Sequence, residues 1–113
     1  MHTGKYNHLK GTQLGKSVAI RAGEWHTYTI NWSPDDISFA VDGQTYLHVV
    51  NDGEGIESWP FDKRFHLILN LAVGGNLGGR RGLDVDAMRD GQTMQVEWVR
   101  VYQKPQRASA GAA

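Results

Sequence analysis

A chain of 113 residues supports one small domain and no more. Its 12 Lys and Arg balance 12 Asp and Glu, so the charge points neither to nucleic acid nor to an anionic membrane. With no cysteine, disulfides and thiolate metal sites are excluded, and no apolar run approaches the ~20 residues that span a bilayer. Met1-His2-Thr3-Gly4-Lys5 has no apolar signal core, which leaves the localisation open.

Strand signals dominate. From Trp25 to Trp32, Tyr28, Ile30 and Trp32 alternate with Thr27, Thr29 and Asn31, the period-2 pattern of a half-buried strand. Ser33-Pro34-Asp35-Asp36 is turn chemistry: proline presets φ and the aspartates bond nearby backbone. Ile37 to Val41 alternates again, Asp42-Gly43 marks a tight hairpin, and Thr45 to Val50 is the returning strand. Short turns between three strands predict an antiparallel meander. Asn51 to Glu57 is polar and glycine-rich, hence a loop.

Phe65 to Val73 is the most apolar run and suits a central strand covered on both faces, although periodicity alone does not exclude a helix. Gly74-Gly75 and Gly78-Gly79 break regular structure, and a long loop runs on to Gly91 with one helical turn near Asp86 to Arg89. Thr93 to Tyr102 reads as a closing sandwich strand with both faces partly apolar. Trp25, Trp32 and Trp98 sit in these strand patterns and are expected in the core. The domain is expected over residues 1–104, with 105–113 a flexible tail.

Four stretches together resemble glycoside hydrolase family 16, in its laminarinase-like endo-β-1,3-glucanase branch. They are His2 to His8 with Gly11-Thr12-Gln13, Trp25 to Gly43, Trp59-Pro60-Phe61-Asp62 through Gly79, and Val96 to Gln103. They occur in family order with sensible spacing. The resemblance implies an all-β fold, an antiparallel β-sandwich that is a partial β-jelly roll of the concanavalin A type. Relatives of this kind are commonly secreted.

Retaining glycosidases need two carboxylates about 5 Å apart, a nucleophile and an acid/base. The family places both on one strand, in Glu-x-Asp-x-x-Glu or a close variant, and the resemblance starts just downstream of that strand. Met1 stands where the family has an internal residue. No catalytic residue is therefore assigned, and the acids of the chain are expected in turns and solvated loops.

For sugar contact the resemblance selects three residues. His2 would lie on the strand beside the catalytic one. Trp59, at a loop-to-strand entry, would stand at the cleft rim, where a flat ring can stack on a sugar. Asn70 interrupts an apolar run and would be a donor facing the cleft. Leu77 stands where the family's glycine-rich loop usually carries a tryptophan, so one stacking surface is lost. Full-length relatives often hold a structural calcium through an aspartate of the closing strand. Glu97 takes that place here, a remnant of the metal site, and the chain is expected to need no cofactor.

Three functions fit. The first is a β-glucan hydrolase segment, inactive alone. The second is a non-catalytic, lectin-like glucan-binding module. The third is a fragment active only with a complementary N-terminal half. The expected partners are β-glucan, bound weakly, and a second copy, since bare strand edges and uncovered sheet faces favour a twofold homodimer.

Overall fold

In a computed structural model, residues 1–105 are described. They form two compact units, the first over Met1–Leu67 and the second from Ile68 onward. Most of the expected tail lies outside the described residues.

The first unit is built on one antiparallel sheet of order β1-β2-β3: β1 Tyr28–Trp32, β2 Asp36–Val41 and β3 Gln44–Val50. This is the expected meander. The first turn is closed from Ser33, whose N–H donates to the Asp36 carbonyl at 2.9 Å. The second is the two-residue Asp42-Gly43 loop, with φ of 50° and 80°. Both residues need positive φ in the turn that matches strand twist, which is why an Asp-Gly pair sits there.

Register puts Tyr28 opposite Val41, Ile30 opposite Phe39 and Leu47, and Trp32 opposite Ile37 and Val49. Opposed residues share a face, so the sheet has one apolar side and one that carries Thr29, Asn31, Ser38 and His48. A register shift between Phe39 and Ala40 bulges β3. On the apolar side only the middle strand is well covered. Ile37 and Val41 are buried, whereas Tyr28, Ile30 and Trp32 on β1 stay exposed.

A second cluster follows the sheet. Trp59 precedes a 3-10 turn, Pro60–Asp62, and only 4% of it is exposed. Its ring meets Phe61 edge to face at 5.3 Å, Phe61 leans on Phe65 at 5.5 Å, and Phe65 meets Trp32 at 6.2 Å. The Trp32 indole donates to the Phe61 carbonyl at 2.7 Å, which ties the cluster to β1. Trp32 is nevertheless 48% exposed.

The second unit carries two short helices, α1 Gly75–Gly78 and α2 Val85–Arg89. The expected helical turn near Asp86 is α2. Asp84 caps it by accepting the Ala87 N–H at 2.9 Å, and Arg89 pairs with Asp86 at 2.8 Å. Phe65 to Val73 and Thr93 to Tyr102 are not strands here and form no ladder with any described residue. The cause is physical. Local turns bring β1, β2 and β3 together, but these two runs need non-local partners, and the described residues supply none. Trp25 and Trp98 share that fate. Expected in the core, they are 65% and 45% exposed, and Arg100 covers the Trp98 ring at 4.4 Å. No helix of the described residues is long and apolar enough to cross a membrane.

Candidate functional site

The polar contacts of the first unit converge where the N-terminal segment meets the loop after β3. Asp52 is the centre. Its Oδ1 accepts from the Ser58 hydroxyl at 2.6 Å and the Glu54 N–H at 3.1 Å. Its Oδ2 accepts from the Tyr6 hydroxyl at 2.9 Å and from Lys5 Nζ at 3.4 Å. Lys5 also pairs closely with Glu54. The segment is held through its backbone as well, the Lys5 N–H donating to the Glu57 carbonyl at 2.7 Å. Gly4 lies beneath the Glu57 carboxylate, and a Cβ there would push that flexible side chain aside.

The electrostatics follow from those donors. The Ser58 hydroxyl, then the Glu54 N–H, hold Asp52 well below the usual carboxylate range. The Glu54 carboxylate, helped by the Tyr6 contact, raises Lys5 above its ordinary value. Asp52 is thus a fixed anion, and it cannot serve as a proton donor near neutrality.

Asp52, Glu54 and Glu57 have the acid-x-acid-x-x-acid spacing of the family's catalytic motif, with Asp and Glu exchanged in the first two places. Geometry separates them from it. A catalytic strand keeps alternate residues on one face, whereas Gly53 and Gly55 take φ of 73° and 92° and turn this run into a loop. Two of its three acids are committed to Lys5. The arrangement is a clamp on the N-terminal segment.

Because Asp52 is depressed in the folded chain, its contribution is complete above its ordinary value of 3.8 and is lost as pH falls through and below it. The N-terminal segment is therefore expected to detach in acid before the sheet melts. Limited proteolysis with an acid-active protease would read this as early cleavage before residue 12. Asp52→Asn should move that onset to higher pH, and an unchanged cleavage pattern in the variant would count against the clamp.

The expected sugar contacts fall in different places. His2 is exposed, its ring edge-on to His8 at 5.3 Å. Asn70 is exposed in the second unit. Trp59 does not stand at a rim: it is packed on Phe61, and its indole donates to the Pro34 carbonyl at 2.7 Å, so no ring face is open for stacking. Glu97 is exposed, and no three His, Asp or Glu side chains among the described residues gather as a metal site. The clamp escaped sequence reasoning because its partners lie 46 and 47 residues apart.

The sequence model of glycosyl hydrolases family 16 matches residues 2–100. This chain belongs to that family. A beta-glucanase of Rhodothermus marinus is 42% identical over 109 residues, covering 90% of this chain and 37% of the relative. Glucan endo-1,3-beta-glucosidase A1 of Niallia circulans is 39% identical over 92 residues, covering 74% of this chain and 13% of the relative. Among solved structures, SCLam, a non-specific endo-beta-1,3(4)-glucanase from family GH16, superposes with a TM-score of 0.67 at 42% identity. That match covers 77% of this chain and 34% of the other, and it agrees with the all-β class. The chain thus spans about a third of the length of the first of these relatives.

Proposed function

We propose that this chain is a segment of a retaining β-glucan hydrolase, with laminarin-type β-1,3-glucan as its ligand, and that alone it cleaves no glycosidic bond. The observation that carries the reading is the fate of its acid-x-acid-x-x-acid run, bent into a loop with Asp52 and Glu54 both paired to Lys5. A retaining mechanism needs one carboxyl kept protonated as the acid and a second left free as the nucleophile. Asp52 is held ionised, and Glu54 is paired.

The glucanase names of the relatives support a β-glucan ligand. The sugar-contact proposal now rests on His2 and Asn70, both exposed and polar. Calorimetry with laminarin tests it. Weak binding is expected, lowered further by His2→Ala and Asn70→Ala. No heat, or heat that both variants leave unchanged, would overturn the assignment.

The proposal extends to association. Tyr28, Ile30 and Trp32 are exposed on an edge strand, and Phe65 to Val73 holds no Lys, Arg, Asp or Glu. Unpaired edges and apolar faces of this kind favour a twofold pair. Light scattering coupled to size exclusion should give twice the 12.6 kDa chain mass at high concentration, falling on dilution. A sharp monomer peak at high concentration with a cooperative melt would reject it.

A further inference from the structure

His26 lies just before β1 and takes no part in the clamp around Asp52. Its side chain is only 11% exposed. Nδ1 lies 2.7 Å from Asp42 Oδ2, and Nε2 lies 2.8 Å from the Arg21 carbonyl oxygen. A carboxylate oxygen and a carbonyl oxygen can only accept. A neutral imidazole carries one N–H and can satisfy one of them, while the imidazolium satisfies both. The geometry therefore selects the charged ring.

What the ring joins gives the contact its meaning. Asp42 is the first of the two left-handed residues of the β2–β3 turn, and its second oxygen accepts the Thr27 N–H at 2.9 Å. Arg21 opens the short turn through Gly23, φ 81°, that leads to the exposed Trp25. We propose that His26 is a pH-dependent latch that fastens the Arg21–Trp25 segment to the hairpin turn and releases it when the ring loses its proton.

On deprotonation the remaining N–H stays on Nδ1, because the carboxylate is the stronger acceptor. The Nε2 lone pair then faces the Arg21 carbonyl oxygen, and that contact becomes repulsive. The charged and titratable groups around the ring are few. Asp42 faces it from the hairpin turn. Glu24 lies on its own segment, paired with Arg21 at 3.7 Å, and the Tyr28 ring on β1 stands edge-on at 6.5 Å. The Arg21 carbonyl, then the Asp42 carboxylate, raise His26 above its ordinary 6.5, while the His26 contact lowers Asp42. A raised folded value means that the stabilisation is complete below 6.5 and is lost as pH rises through the folded value.

The test is an NMR titration of the full chain, following the His26 ring and the backbone amides of residues 21–25. A His26 midpoint above 6.5, with the amides moving at the same midpoint, is expected. Asp42→Asn keeps an acceptor for Thr27 and a residue suited to the turn, since Asn-Gly favours the same geometry. It should lower the His26 midpoint and carry the amide transition down with it. In His26→Gln the amides of 21–25 should show no transition between pH 5 and 9. The wild-type titration decides even where a variant folds poorly. A His26 midpoint at or below 6.5, or amides that ignore its titration, would overturn the latch.

Discussion

Replacing Trp59 with alanine is expected to lower the unfolding free energy of this chain by about 3–5 kcal/mol, the range for emptying a large aromatic site. Among the described residues Trp59 is one of four buried apolar side chains, with Ile37, Ala40 and Val41. It anchors two things at once. Its ring packs on Phe61, and its indole N–H satisfies the Pro34 carbonyl in the β1–β2 turn. A small core has no reserve: with so few buried side chains, the cavity cannot be refilled by neighbours. Trp59→Phe keeps much of the ring packing and loses the hydrogen bond, so a smaller loss, about 1 kcal/mol, is expected. Denaturant unfolding of the three proteins measures both. If Trp59→Ala unfolds like the parent and loses glucan affinity instead, the residue belongs at a cleft rim after all.

That residue also marks the limit of what the sequence made legible. The hairpins were readable because their chemistry is local: Ser33-Pro34-Asp35-Asp36 and Asp42-Gly43 carry their turn geometry within a few residues. The helical turn at Asp86 was readable for the same reason, since Asp84 caps it three residues ahead of the N–H it accepts. Phe65 to Val73 has a strand's composition, but a strand also needs a neighbour, which composition cannot report. Periodicity placed Tyr28, Ile30 and Trp32 on one face correctly and was silent on whether anything covers that face. Trp59 stands beside a proline at a loop entry, where no period distinguishes a rim from a core. The clamp depends on Lys5 and Tyr6 meeting Asp52 across nearly half the chain, and nothing in either segment announces the other.

The largest effect expected is on catalysis. A glycosidase owes many powers of ten in rate to its carboxylate pair. Here Asp52 and Glu54 are tied to Lys5, and Glu57 lies over Gly4. Asp52 and Glu54 are occupied in holding the N-terminal segment, Glu57 adds its backbone carbonyl to the Lys5 N–H, and the positive φ of Gly53 and Gly55 takes the run out of strand geometry. Freeing them should not create an enzyme. Lys5→Met would leave Glu54 unpaired, yet no acid/base partner on one strand would appear beside it.

The direct measurement is release of reducing sugar from laminarin by a purified, contaminant-free sample, run beside buffer and a Glu54→Gln/Glu57→Gln double variant. No release above buffer by either protein is the predicted result. Turnover by the parent chain that the double variant abolishes would contradict the account and place catalysis in the loop described here as a clamp.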